Sequence, residues 1–240
     1  MNSLSKTHGG LKAAFTLIEM LVVVTIIVLL LAFSTPALMR TLQASRLSSS
    51  GDSLMGAISE AQQLAMSQNA PVEIRFFSYS GDFGSPSLFR SYQLFKISLT
   101  TEGVGAAAKV KETTVPAGNL INLSEGIVVA ANAELSPGLS GNQLSDVKDG
   151  GVTPGYSGVE NAQYAAIRFL PDGSCRKVGA TTTVGALTGA TLTFQTLPQS
   201  FFTITYDISA DVTVQKLPKN FYTIQIDPFT GKARSYKPGF

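Results

Sequence analysis

The chain has 240 residues, 44% of them hydrophobic and 14% charged, which allows one membrane segment plus one globular domain and disfavours two large domains. Its formal net charge of +2 is accounted for by Lys6 and Lys12, so the remainder is neutral and lacks the basic surface that would predict a nucleic-acid partner. With one cysteine, Cys175, and one histidine, His8, the sequence excludes an intrachain disulfide and a cysteine cluster for zinc, and we expect Cys175 to be a small, half-buried hydrophobe.

The first 14 residues, "MNSLSKTHGGLKAA", are polar and weakly basic, which predicts a short cytoplasmic leader rather than a folded element. From Phe15 to Met39 the chain is apolar except for five residues: Thr16, Glu19, Thr25, Ser34 and Thr35. A bilayer is crossed by about 20 residues of helix, so residues 15–39 predict a transmembrane helix. A cleaved secretory signal is the alternative, although its apolar core is usually only about 7 to 15 residues long.

One carboxylate, Glu19, lies near the beginning of this apolar span. An ionisable group within a membrane segment costs free energy, so its presence there indicates a function. The flanking charges do not orient the span, because Lys6 and Lys12 on one side are matched by Arg40 and Arg46 on the other.

Residues 40–70 predict an amphipathic continuation of the same helix. Apolar residues recur at helical spacing and form one stripe that we expect to pack on a sheet: Leu47, Leu54, Ile58, Ala61 and Ala65. The poor helix formers in "SSSGDS" predict a weak point or bend between Ser48 and Ser53. Pro71 disfavours helix at the residue before it and so predicts the helix end.

Residues 71–240 predict an antiparallel, β-rich globular body with long loops. Alternation in "PVEIRF", "YQLFKISL", "YAAIRFL", "FTITYDI" and "FYTIQID" predicts strands. The stretches "LPDGS" and "DPFTG" predict tight hairpin turns, and the glycine-rich and serine-rich stretches between Glu102 and Gly158 predict long exposed loops. The predicted fold class is therefore α+β, a long helix with a transmembrane half and an amphipathic half, packed on an antiparallel sheet.

The N-terminal stretch "AAFTLIEMLVVVTIIVLLLAFSTPALMR" resembles the prepilin family, which comprises the type IV pilins and the type II secretion pseudopilins. The resemblance rests on Phe15 after a short basic leader, Glu19 four residues later, an uninterrupted apolar span, and Pro36 twenty-one residues after Phe15. It implies that a prepilin peptidase cuts between Ala14 and Phe15, that the new amine is methylated, and that Pro36 kinks the helix. The family usually has glycine where this chain has Ala14, and because alanine is also small, cleavage is still expected.

The resemblance also implies a role for Glu19, whose carboxylate would meet the amine of a neighbouring subunit and set the register of assembly. The C-terminal stretches "IRFLPDGS" and "FYTIQIDPFTGKARSY" are similar to the closing strands of H-type minor pseudopilins, and the ending resembles the Verru_Chthon cassette protein D family. The resemblance implies two further features, since type IV pilins often close a C-terminal loop with a disulfide and major pseudopilins often bind calcium near the C-terminus. This chain has a single cysteine, and its carboxylates after Ser200 are scattered, at Asp207, Asp211 and Asp227, so the comparison favours a minor subunit over a major one.

The leading functional hypothesis is a structural subunit of a type II secretion or type IV pilus-like filament, held in the bacterial inner membrane with its body in the periplasm. Its expected partners are prepilin peptidase, other pilin or pseudopilin subunits, an inner-membrane assembly platform and membrane lipid. The alternative is a membrane-anchored binding module with no filament role. We expect no cofactor and no metal. We also expect no enzyme activity, because Asp172 and Asp227, the two carboxylates that could be nominated as a hydrolytic pair, lie at predicted turns.

Overall fold

The computed structural model describes residues 16–78, 88–103, 105, 108–140, 144–145, 163–207, 217 and 220–238, without the side chains of 35–37 and 144–145. The chain forms two compact units, residues 1–43 and 44–240, which we call the N-terminal unit and the C-terminal unit. The fold class is α+β, as predicted. The described elements are, in chain order, α1 (Leu17–Ser67), β1 (Val72–Ser78), β2 (Phe89–Glu102), β3 (Lys109–Pro116), β4 (Ile121–Asn122), β5 (Ile127–Val129), β6 (Leu144–Ser145), β7 (Gln163–Phe169), β8 (Cys175–Val184), β9 (Leu187–Thr193), a 3-10 turn (Leu197–Gln199), β10 (Phe201–Tyr206), β11 (Tyr222–Ile226) and β12 (Ala233–Tyr236).

The apolar stripe predicted for the second part of α1 is confirmed. All five of its residues are at most 4% exposed and belong to one hydrophobic core with the strands of the C-terminal unit: Leu47, Leu54, Ile58, Ala61 and Ala65. The helix ends at Ser67, and Asn69 then adopts a positive φ of 47° before Pro71. Burial of the stripe, rather than helix propensity, holds this part of α1 in place.

The "SSSGDS" stretch, predicted to be a weak point or bend, does not interrupt α1, which continues through these residues. Their polar side chains bond to the strands and loops that cover them: Ser50 Oγ donates to Ser124 Oγ at 3.0 Å, and Ser53 Oγ lies 2.8 Å from Tyr92 Oη. Tyr222 Oη donates to Asp52 Oδ1 at 2.9 Å. Tertiary contacts therefore outweigh the low helix propensity of this segment.

Gly51 is buried in this segment because the ring of Tyr222, 1% exposed, lies directly against it. A Cβ at position 51 would overlap the ring carbons, whereas a Cβ on Gly56, one and a half turns later, would meet nothing within 4 Å. The absence of a side chain at position 51 thus lets the sheet approach the helix closely.

Replacing Gly51 by alanine is therefore expected to lower the free energy of unfolding by about 1–3 kcal/mol, because the added methyl group forces the Tyr222 ring to move. Gly56→Ala is the matched control and is expected to stabilise the protein by about 0.5–1 kcal/mol through helix propensity. Urea unfolding of the full chain in detergent, followed by tyrosine fluorescence, measures both. Equal stabilisation by the two substitutions would contradict the close packing at Gly51.

Most of the sheet is antiparallel, and its first part closes into a ring of six strands. In the ring β1 pairs with β2 and β7, β7 with β8, β8 with β9, β9 with β3, and β3 with β2. The β3–β9 pairing is parallel, so the sheet is mixed rather than purely antiparallel as predicted. From β2 the sheet extends through β5, β10, β11 and β12, while β4 pairs with β2 and β6 with β7.

The ring gives its strands two buried faces. On β1 the residues Val72, Ile74 and Phe76 face α1, in agreement with the alternation in the sequence. The opposite face carries Glu73, Arg75 and Phe77, which are also buried, at 1%, 6% and 1% exposed. Because α1 covers the outside, these three side chains point into the ring.

On β2 the side chains that join the core with α1 are Phe89, Tyr92 and Leu94. Of the alternating set read from the sequence, Phe95 belongs to a second cluster with Phe77, while Leu99 is 64% exposed. A register shift between β1 and β2 at Phe77 and Ser78 changes the phase of the alternation along this pair. The sequence thus predicts strand β2 but not which of its faces meets the helix.

Both predicted hairpin turns are confirmed. "LPDGS" joins β7 to β8 with Gly173 at a φ of 85°, and "DPFTG" joins β11 to β12 with Gly231 at a φ of 65°. These left-handed conformations favour glycine because other side chains are strained there.

The region predicted as long loops from Glu102 to Gly158 contains four strands, β3, β4, β5 and β6, so this prediction is wrong where those strands lie. "TEGVGAAAKV" includes the end of β2 and the beginning of β3, which pair through Glu102 and Lys109 in one hairpin. Residues 146–158 of the predicted loop lie outside the described residues.

Candidate functional site

The N-terminal part of α1 is apolar on every side. Each described side chain from Thr16 to Ser34 and from Leu38 to Gln43 is exposed, including Leu17 at 84% and Phe33 at 80%. Among the described residues, α1 is the one helix that is long and apolar enough to cross a membrane by length and composition. A signal sequence near an N-terminus shares these properties. This segment is therefore a candidate membrane anchor or signal sequence.

Hydroxyl groups within the apolar span bond to the helix itself. Thr25 Oγ1 donates to the carbonyl of Leu21 at 2.8 Å, and Ser34 Oγ donates to the carbonyl of Leu30 at the same distance. Each bond reaches back one turn, so these hydroxyls need no partner from water or another helix. They do not raise the cost of placing the span in lipid as unpaired hydroxyls would.

Glu19 forms a reciprocal cap with Thr16 at the beginning of α1. The backbone N–H and the hydroxyl of Thr16 donate to Glu19 Oε2 at 2.9 and 2.8 Å, and the backbone N–H of Glu19 donates to Thr16 Oγ1 at 3.2 Å. This is a capping box, which satisfies N–H groups that the first turn of a helix leaves without carbonyl partners. A carboxylate there also interacts favourably with the positive end of the helix dipole. In the single chain, Glu19 thus has a local role at the helix start.

The other residues of the predicted site are described less fully. Ala14 and Phe15, the predicted cleavage and methylation residues, lie outside the described residues. Pro36 lies within α1, which continues on both sides of it, and its side chain is not described. The kink at Pro36 remains a prediction.

A network of buried charges inside the ring was missed by the sequence analysis. Arg168, 3% exposed, donates to Glu73 Oε1 from Nε at 2.8 Å and from Nη2 at 2.6 Å, and to Glu112 from both amino groups at 2.8 and 2.9 Å. Arg75 Nε donates to Glu73 Oε2 at 2.9 Å, and its guanidinium lies over the rings of Phe95 and Tyr164 at 4.5 and 4.6 Å.

The network pairs two carboxylates with two guanidiniums, so its formal charges cancel. Burial on its own would raise the pKa of Glu112, but the bonds from Arg168 and from the backbone N–H of Ala190 hold that pKa below its usual value. All four carboxylate oxygens accept hydrogen bonds, as burial of such groups requires. The available signal was the pair of charges alternating with apolar residues in "VEIRF", which also fits a solvated strand face.

The remaining candidate residues have structural roles. Asp172 Oδ1 accepts from the backbone N–H and the hydroxyl of Ser174, and these bonds lower its pKa. Asp227 accepts likewise from the Phe229 N–H and the Thr230 hydroxyl, again with a lowered pKa, so both aspartates stabilise their turns. Cys175 is buried in the core, where desolvation raises its pKa to about 12. Across the described part of the chain, no three His, Cys, Asp or Glu residues are placed to hold a metal ion.

These features define a class: an α+β protein whose long first helix begins with an apolar, membrane-compatible segment and ends in the core of a β-rich unit. Comparisons with protein-family models, curated proteins and solved structures find no match to the chain. Its function is therefore inferred from the residues themselves and from the resemblance of its N-terminus.

Proposed function

We propose that this protein is a pilin-like filament subunit of the type IV pilin and type II secretion pseudopilin class, closest to the H-type minor pseudopilins. The observation that carries the proposal is the composition of α1 along its length. One continuous helix begins with a capped carboxylate, continues through a fully apolar segment, and ends in a buried stripe beneath a sheet. A helix of this kind serves a subunit that is stored in a membrane and then assembled through that same segment.

The apolar side chains of the N-terminal unit support this proposal energetically. They are exposed in the single chain, and each large apolar side chain gains about 1.5–3 kcal/mol when it is fully removed from water. Lipid removes them from water before assembly, and the helices of neighbouring subunits do so in a filament. The partners are accordingly membrane lipid, other pilin or pseudopilin subunits, the inner-membrane assembly platform and prepilin peptidase.

A membrane-anchored binding module with no filament role is the second candidate. The Thr16–Glu19 capping box favours this second candidate, because the box accounts for the carboxylate without a neighbouring subunit. On this alternative α1 holds the C-terminal unit at the membrane, and Glu19 only begins the helix. The two candidates differ in whether the negative charge of Glu19 is needed or only its hydrogen bonds.

Processing of the N-terminus tests the proposal directly. Mass spectrometry of the protein from native membranes is expected to find a methylated Phe15 as the first residue. Ala14→Leu is expected to abolish cleavage because prepilin processing requires a small residue there, while Ala14→Gly is expected to keep or raise it. A mature protein that starts near Thr35 would identify a secretory signal, and an uncleaved chain would favour the simple anchor; either result would contradict the proposal.

A further inference from the structure

The β3–β9 seam is the weakest junction of the six-stranded ring. The two parallel strands pair at only two positions, Val110 with Leu187 and Lys111 with Thr188. Beyond these positions β3 continues to pair with β2 as far as Pro116, and β9 continues along β8 as far as Thr193, but β3 and β9 no longer pair with each other. The backbone pairing between β3 and β9 is therefore short, and it contributes little to keeping the ring closed.

A side chain replaces the backbone pairing where the two strands separate. Glu112 Oε2 accepts from the backbone N–H of Ala190 at 2.9 Å, so the carboxylate of β3 takes the place of a carbonyl partner for β9. Gly189 makes room for this contact, because a Cβ there would lie 2.8 Å from the carboxyl carbon of Glu112. The residue types at 112 and 189 thus fit each other.

Glu112 is itself fixed to the buried side of the ring. Both amino groups of Arg168 on β7 donate to its carboxylate, and Arg168 is held in turn by Glu73 on β1. The chain of contacts therefore runs from Ala190 on β9 across the ring to the buried strands β1 and β7. Charge-assisted bonds of this kind are stronger than neutral ones and have a defined direction.

The hairpin on the other side of the seam is weakly held. Val184 and Leu187 at its end are 75% and 48% exposed, and its cross-strand contacts include hydroxyl pairs such as Thr183 with Thr188 at 3.0 Å. The β8–β9 ladder is irregular between Val178 and Thr181, so the regular pairing of the two strands is interrupted at the base of the hairpin. Segments with few buried apolar contacts open at low free energy.

We propose that the β8–β9 hairpin from Thr181 to Ala190 is a flap that opens away from β3 at this seam, and that the Glu112 carboxylate is the latch that holds it closed. When the flap opens, the Ala190 N–H loses its acceptor and water reaches the edge of Arg168 that faces Glu112. The flap turns about the irregular stretch between Val178 and Thr181 while β1, β2 and β7 keep their pairing.

Hydrogen exchange of the full chain in detergent tests the latch. In Glu112→Gln the side chain keeps its size but loses its charge, and its single oxygen cannot replace both carboxylate oxygens, so either the Ala190 N–H or Nη1 of Arg168 is left facing the amide NH2 group without an acceptor. Gly189→Ala keeps every charge and displaces the Glu112 carboxyl group. Both variants are expected to speed exchange of the amides at 181–193 at least tenfold and to leave the amides of 72–78 unchanged.

Glu102→Gln is the matched control, because Glu102 is an exposed glutamate at the end of β2. This substitution is expected to leave the exchange rates as they are in the wild-type protein. Unchanged exchange at 181–193 in both test variants would overturn the latch. An equal increase over 181–193 and 72–78 in both variants would overturn the flap, because the contact would then support the whole ring instead of one hairpin.

Discussion

Replacing Arg168 by methionine is expected to destabilise the C-terminal unit by about 3–5 kcal/mol. The substitution leaves Glu73, 1% exposed, with one remaining partner, Arg75 Nε, and leaves Glu112 with the Ala190 N–H alone. Two carboxylates then share one guanidinium, that of Arg75, so one negative charge in the network still carries the cost of desolvation without the attraction that offset it. Urea unfolding of the full chain in detergent, followed by tyrosine fluorescence, measures the loss.

Arg234→Met provides the matched control, since Arg234 is an exposed arginine on strand β12 and its removal is expected to change stability by less than about 0.5 kcal/mol. Adding Glu73→Gln to Arg168→Met is expected to recover part of the loss, because it removes the uncompensated charge. If Arg168→Met costs no more stability than Arg234→Met, the buried pairing of Arg168 with Glu73 and Glu112 is wrong.

The same network predicts a dependence of stability on pH. The pKa of Glu112 in the folded protein lies below its usual value, so its ionised form contributes stability above the pKa of the unfolded chain. That contribution is lost as the pH falls through the folded pKa. Glu112→Gln is accordingly expected to reduce the loss of stability in acid, measured by the same urea unfolding at a series of pH values.

Much of α1 was predictable because helical periodicity depends only on nearby residues. The stripe from Leu47 to Ala65 and the helix end before Pro71 follow from spacing and from the geometry of proline. The continuity of the helix through "SSSGDS" could not be predicted, because propensity carries no information about what covers a helix. Gly51 is favoured there by the ring of Tyr222, which lies far along the chain.

The strands were predictable as strands, but their arrangement was not. Alternation identifies two faces of β1, and the face with Glu73 and Arg75 is the one expected to meet solvent because it is charged. That expectation holds only when nothing covers the charged face. Here the ring covers it, since Val110 pairs with Leu187 across a long separation in sequence. Glu73 and Arg75 are therefore buried for a reason that local pattern does not contain.

For the candidate site, the sequence contained more than one signal at Glu19. The resemblance to prepilins predicts a partner in a neighbouring subunit, while the spacing Thr-x-x-Glu at Thr16 and Glu19 is itself a capping-box pattern. The structure contains the capping box. The intermolecular contact remains a prediction, because it requires a second chain.

Substitutions at Thr16 and Glu19 separate these two roles by their effect on assembly. Glutamine at position 19 keeps the capping geometry, since Glu and Gln serve equally in a capping box, but it removes the negative charge. Thr16→Ala keeps the charge and removes the hydroxyl that caps the helix, at a cost of about 1 kcal/mol in helix stability. Glu19→Ala removes both the cap and the charge.

If the filament proposal is correct, Glu19→Gln is expected to reduce assembly more than tenfold, as severely as Glu19→Ala, while Thr16→Ala assembles within a few-fold of the wild-type level. The physical reason is that a positive amine and a negative carboxylate attract strongly among packed apolar helices, whereas an amine left alone there is heavily penalised. Assembly is measured as the sheared filament fraction or as crosslinking between subunits, and normalised to the amount of protein in the membrane. Near-normal assembly of Glu19→Gln together with failure of Thr16→Ala would show that Glu19 acts only as a helix cap, and the charge-based register would have to be abandoned.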